Sequence, residues 1–180
     1  AASEIDAEIE HFKSAIATVQ HRMDTSLASG NFADADRGII AALKDIAADD
    51  SLTDEALGLI RGGLDAISSM LAAASTVAGQ FAALDDPYLN ARADDVYAVS
   101  RQICLALLGK DDINLEELPD GSVLIAEDIG AWDLARAPLK KIKGVVCGHG
   151  GATLHVAIIA RTHGIPAVLG LGSAVQQLKT

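Results

Sequence analysis

An α-helical bundle followed by a small α/β unit is the architecture this sequence predicts, a mixed α+β / α/β fold class. Three observations carry it. Apolar residues step by three or four through residues 1–109, the spacing of one buried helix face. After Lys110 the pattern changes to short apolar runs alternating with helical stretches, which reads as strands joined by helices. Aromatic residues make up only 3% of the chain while alanine is abundant, which favours closely packed helices over a β-sandwich or barrel.

The first helix has Ile5, Ile9, Phe12, Ile16, Val19, Met23 and Leu27 on one stripe, with Ser3 as its cap and Ser29-Gly30 as its end. A second helix buries Ile39, Ile40, Leu43 and Ile46. Asp49, Asp50 and Ser51 break the chain before a third, entered near Thr53. Gly62-Gly63 interrupts or bends that segment, which resumes through Leu64, Ile67, Met70, Leu71, Val77 and Phe81. Asp85-Asp86-Pro87 opens a fourth helix, with a carboxylate to cap it and proline in its first turn. It runs to about Leu108 and stops at Gly109. Short loops make neighbouring helices antiparallel.

In the second part, Ser122–Ala126 reads as a short buried strand and Ala131–Ala137 as a short helix stopped by Pro138. Gly144–Cys147 is a second strand, Thr153–His163 a helix, Ile165–Leu169 a third strand, and Ser173–Lys179 the start of another helix. The organisation expected is therefore a helical domain over residues 1–109 and an α/β domain over 110–180 that is incomplete at its end. No repeat or low-complexity linker separates them, so the two are expected to pack together. The chain starts inside a helical pattern and stops without a closing signal, which suggests a piece of a longer polypeptide.

Half the 180 residues are apolar, enough for a real core, and the 22% that are charged leave little reason for disorder. The net charge of −11 opposes phosphate backbones and anionic membranes, so nucleic acid is a poor partner and a basic protein a better one. Cys104 and Cys147 fall in different elements and form no disulfide framework, which suits a reducing cytoplasm. No apolar run is long enough for a membrane span, and no signal peptide is visible.

The stretch that carries chemistry is GHGGATLHVAIIARTHGIPAVLG, residues 148–170. Gly150 and Gly151 lie between a strand end and a helix start, where the backbone can turn sharply and point its N–H groups outward. The first N–H groups of a helix lack internal partners and its dipole is positive there, so this end suits an anion. His155, in the first turn, is disfavoured as a cation and kept neutral and nucleophilic. A phosphoryl group accepted on its ring would bring negative charge to the waiting N–H donors. Thr153 can cap the helix or bond the phosphate through its hydroxyl. Arg161 lies six positions on, about 600° round the helix, yet able to reach across the site or to pair with an acidic residue. The same residues allow blander readings. A lone histidine in an apolar helix is often a satisfied core residue. A nucleotide loop of GxxxxGK[ST] form would need a lysine and hydroxyl after Gly151, which are missing. Cys147, His149, His155 and His163 do not have the spacing of a compact metal-ligand set.

GGATLHVAIIARTHGIPAVLG resembles the phosphohistidine signature of phosphoenolpyruvate-utilising enzymes, GG-x-T-S-H-x-A-I-x-A-R-x-x-G-I-P-A-V-x-G, across residues 150–170. LDDPYLNARADDV at residues 84–96 resembles the L-D-D-x-Y-L-x-x-R-x-x-D-V stretch of enzyme I of the bacterial sugar phosphotransferase system. APLKKIKG at 137–144 is similar to the stretch before its active strand. The likeness covers nearly the whole chain and extends to the modules of multiphosphoryl transfer proteins and of the dihydroxyacetone kinase phosphotransfer subunit.

The resemblance implies a helical carrier-docking subdomain packed on a swivelling β/α phosphohistidine domain. His155 would be the histidine that takes phosphate, ultimately from phosphoenolpyruvate, through Nε2 and hands it to a histidine of an HPr-like phosphocarrier. Gly150, Gly151, Thr153 and Arg161 would support the phosphate. No cofactor is implied within this chain. Phosphoenolpyruvate and Mg2+ would belong to a carboxy-terminal barrel of the parent chain, and family strands before the helical part and after the last helix are missing here. Three departures stand out. Leu154 replaces a serine and Ala152 a frequent arginine, while Leu134 stands where a threonine usually bonds the histidine. In addition, the docking segment F-E-x-H-x-x-L-L-E-D corresponds here to IAALKDIAAD, residues 40–49. Two rivals stay open: a non-catalytic regulatory or interaction module of the same fold, which the substitutions at Leu134 and Leu154 support, and an alanine-rich bundle with a metal-binding tail.

Overall fold

The computed structural model describes residues 2–28, 32–110, 115, 117–151 and 155–178. The chain divides into two compact units. The first comprises residues 1–31 and 41–112; the second comprises 32–40 and 113–180. The division is therefore not a single cut, because the segment around the start of the second helix clusters with the α/β residues.

The helices of the first unit are α1 (Ala2–Ala28), the latter part of α2 (Asp34–Ala47), α3 (Asp50–Arg61), α4 (Ala66–Ala82) and α5 (Pro87–Leu107). Phe12, Ile16, Val19 and Met23 of α1 are buried, as the spacing of the first stripe requires. Each such side chain taken from water contributes about 1.5–3 kcal/mol. α1 packs on α3, α4 and α5, and α4 packs closely on α5 through Ala73, Ala74, Val77 and Ala78. Small side chains let these helices approach.

The segment expected to be one interrupted helix is two separate helices. Gly62 ends α3, and Gly63 takes a φ of 96° that L side chains rarely adopt. Asp65 then starts α4 afresh: its Oδ1 accepts from the Ser68 N–H at 2.9 Å, and Glu8 of α1 accepts from the Ala66 N–H at 2.7 Å. Ser3 is not a cap, since α1 already begins at Ala2. Ser29 and Gly30 lie outside the described residues. Pro87 occupies the first position of α5, and Gly109, with a φ of 61°, follows its end. Gln20 satisfies the terminal carbonyl of Ala47 at 3.1 Å, and Lys44 pairs with Asp24.

The second unit is built on a three-stranded parallel sheet in the order β1 (Ser122–Ala126), β2 (Ile142–Cys147), β3 (Ala167–Val168). α6 (Ala131–Arg136) crosses from β1 to β2 and α7 (His155–Thr162) from β2 to β3. Crossovers of one hand between strands added in one direction put both helices on one face, and α6 does pack on α7. The face they cover buries Val145 and Cys147. β1 departs from the fully buried strand expected. Its side chains alternate, and Val123 (51% exposed), Ile125 and Val168 (53%) lie on the open face. The third strand is also shorter than expected, two residues rather than five, and residues 172–177 form a 3-10 helix.

A buried pair ties this unit together. Asp36, in the first turn of α2, is 1% exposed, and its Oδ2 lies 2.5 Å from Nε2 of His163, just past the end of α7. Its other carboxylate oxygen has no partner among the described residues.

This packing has three measurable consequences. Asp49 accepts from the backbone N–H of Ser51 and from its hydroxyl, and the Ser51 hydroxyl above all holds the carboxyl below its ordinary 3.8. Asp49→Ala should cost about 0.5–1 kcal/mol in urea unfolding, the lower part of the range for an exposed cap. That contribution is present above pH 3.8 and lost as pH falls through the lower, folded value. His163→Ala should cost about 1–3 kcal/mol, because it leaves the Asp36 carboxylate buried without its partner, and amide hydrogen exchange should rise over residues 32–40. For Cys147, burial first and the nearby Asp128 charge second push the thiol up from 9.0 to about 11. The stability it contributes is complete below pH 9.0 and lost as pH rises towards about 11. The melting temperature should fall across that window, and less steeply in Cys147→Ala.

Candidate functional site

The site grows from the carboxyl end of β2. Past Cys147 the strand ends, yet hydrogen bonding continues on both sides. Gly148 and His149 donate to the carbonyls of Ala126 and Glu127 at 3.0 and 2.9 Å. From the other side Leu171, Gly172 and Gly170 donate to Cys147, Gly148 and His149 at 3.2, 2.8 and 3.4 Å. Residues 147–149 are thus clamped between two neighbouring segments. A side chain at Gly148 would be crowded on three sides: an added Cβ would meet the Gly172 carbonyl at 3.0 Å, the Glu127 carbonyl at 3.1 Å and Val175 at 3.1 Å, so its neighbours would have to give way.

Gly150 then turns the chain away from the sheet with a φ of 111°. The N–H groups of Gly150 and Gly151 make no hydrogen bond to another described residue. His155 is the first residue of α7 and is half-buried. The Gly150 and Gly151 amides thus lie at the end of the β2 extension, and His155 begins α7 four positions after Gly151. In an open parallel sheet the carboxyl ends of the strands are where ligands gather.

Arg161 is exposed in the last turn of α7. It and Gly151 line one open groove of about 520 Å3, together with Ala157, Ala160, Ile165 and Leu169. The structure therefore brings Gly151 and Arg161 to one cavity, with His155 at the amino end of the helix that walls it. Thr153, along with Ala152 and Leu154, lies outside the described residues. Leu134 is 0% exposed in α6, the helix packed on α7. Its isobutyl group has no hydrogen bond to offer the imidazole.

The metal set weighed on sequence grounds is dispersed. Cys147 is buried in β2, His149 is exposed at the strand end, and His163 is engaged by Asp36. Among the described residues no three His, Cys, Asp or Glu side chains gather as a metal site, and no helix is long and apolar enough to cross a membrane.

In the sequence His149 stands out only within the metal set. His149 donates its backbone N–H to the Glu127 carbonyl, and Nδ1 of its ring lies 3.1 Å from that same oxygen. Its place directly before the glycine pair was the available signal.

Residues 1–92 match the model for the PEP-utilising enzyme N-terminal region, and residues 118–180 match the PEP-utilising enzyme mobile domain. A phosphoenolpyruvate-protein phosphotransferase of Mycoplasma capricolum is 32% identical over 143 residues, covering 79% of this chain and 25% of the relative. One from Bacillus sp. (strain S) is 29% identical over 182 residues, covering 99% of this chain and 32% of the relative. The chain thus spans about a quarter to a third of the length of these relatives. An NMR solution structure of Enzyme I (nEIt) superposes with a TM-score of 0.76 at 31% identity, covering 100% of this chain and 74% of that one. With both sequence models matched in order and the two-unit fold reproduced, this chain belongs to the PEP-utilising enzyme family.

Proposed function

We propose that this chain is the phosphoryl-transfer module of an enzyme I-like protein of a sugar phosphotransferase system. In this reading His155 takes phosphate, ultimately from phosphoenolpyruvate, and passes it to a histidine of an HPr-like phosphocarrier. The observation that carries the reading is the position of His155 at the first residue of α7, four positions after Gly151, with the Gly150 and Gly151 amides having no described partner.

The chemistry is governed by charge. The Nε2 lone pair of a neutral imidazole attacks phosphorus, a P–N bond forms, and the bond to the donor breaks with its electron pair leaving on the donor. The product is more negative than the starting ring. A helix start favours that anion by about 0.3–1 kcal/mol, up to about 2 when partly buried. The Gly150 and Gly151 amides bond the phosphoryl oxygens, Thr153 adds its hydroxyl, and Arg161 neutralises charge across the groove it shares with Gly151.

Phosphoenolpyruvate and Mg2+ belong, in this reading, to a barrel of the parent chain outside these 180 residues. The acid excess suits a basic carrier: 25 Asp and Glu stand against 14 Lys and Arg. A reducing cytoplasm is the proposed setting.

Incubation with a phosphorylated HPr-like carrier tests the proposal. The wild-type chain should acquire an acid-labile, base-stable label at His155, and His155→Ala should fall to background at that position. Arg161→Ala should slow labelling about tenfold while retaining the site, the value of one charge-assisted hydrogen bond. A chain that bound the carrier without acquiring label would instead be an interaction module.

A further inference from the structure

We propose that His149 is a second phosphoryl-accepting imidazole, set on the other side of the glycine turn from His155 and independent of it. Three observations point there. The first is the tautomer. A carbonyl oxygen can only accept, so the ring nitrogen 3.1 Å from the Glu127 carbonyl must carry the proton. With the proton at Nδ1, the Nε2 of a neutral ring holds the lone pair and is the nucleophile.

The second is orientation. His149 is bound through its main chain to both neighbouring segments, by N–H to Glu127 and by C=O to Gly170, and its ring is held to the same Glu127 oxygen. The ring is thus fixed, yet the residue is exposed, and Nε2 has no partner among the described residues. The third is the adjoining backbone. The next two residues, Gly150 and Gly151, supply the amides without described partners. Gly150, with a φ of 111°, opens a turn of the kind in which successive amides can bind an anion.

The step balances without a further reactant. The Nε2 lone pair attacks the phosphorus of a phosphoramidate donor, whether a reagent or another phosphohistidine. The new P–N bond forms as the donor's P–N bond breaks, and the electron pair returns to the donor nitrogen. Glu127 and Asp128 lie on the adjoining segment, and the Glu127 carboxylate is engaged by the Gln176 amide. Their charge raises the energy of a phosphate on His149, which makes it a transient carrier rather than a store.

The other histidines provide internal comparisons. His11 and His21 are exposed on α1 with no ring hydrogen bond among the described residues, and the Nε2 of His163 is occupied by Asp36. The full chain carrying His155→Ala is treated with phosphoramidate, and label is located by mass spectrometry and assigned to Nε2 or Nδ1 by NMR. Label at His149 on Nε2, several-fold above that at His11 and His21, and lost in a His155→Ala/His149→Asn variant with unchanged melting temperature, is the expected result. Label at His149 no greater than at His11 and His21, or found on Nδ1, would overturn the proposal. Because His155 is absent throughout, neither outcome depends on whether the carrier labels His155.

Discussion

Continued hydrogen bonding past the end of β2 is the constraint on which the second unit depends. Residues 147–149 are held from one side by Ala126 and Glu127 and from the other by residues 170–172. A chain bonded on both edges cannot rotate or slide, so the glycine turn next to it leaves from a fixed point. Gly148 is the residue that permits it, because carbonyls and Val175 crowd the position where any side chain would begin.

The site therefore combines a rigid base with a turn of exposed amides. Rigidity matters because backbone N–H groups stabilise charge best when they need no reorganisation as the charge appears. In the proposed reading the base supplies position, the glycines supply donors, and the helix start supplies a field that favours an anion. Nothing in this set is a strong electrostatic element alone. Their agreement in direction favours an anion at one place.

Asp36 and His163 show a different use of charge. A carboxylate taken almost wholly out of water needs a partner, and it finds one across 127 positions of sequence. The contact explains why residues 32–40 cluster with the α/β residues while the rest of α2 belongs to the helical unit. Helical spacing on α2 looks uniform from Ile39 to Ile46, and nothing in that spacing reveals that its first turns have other neighbours.

Much of the architecture was legible in residue order because local physics governs it. The stripe from Phe12 to Met23, the strand Ser122–Ala126, the stop at Gly109 and the turn at Gly150 each arise from periodicity or from a backbone conformation only glycine takes easily. The motif that nominates His155 and its glycine pair is contiguous, so sequence alone could propose it. Tertiary structure alone decided the rest. It brought Glu8 of α1 to the Ala66 N–H at the start of α4. It left Val123 and Ile125 open, because helices cover only one face of the sheet. It joined Asp36 to His163 and turned the His149 ring onto Glu127, contacts whose partners lie 127 and 22 positions away. Sequence spacing encodes what a segment does to itself; which distant group meets a side chain depends on how whole elements pack, and no local period records that.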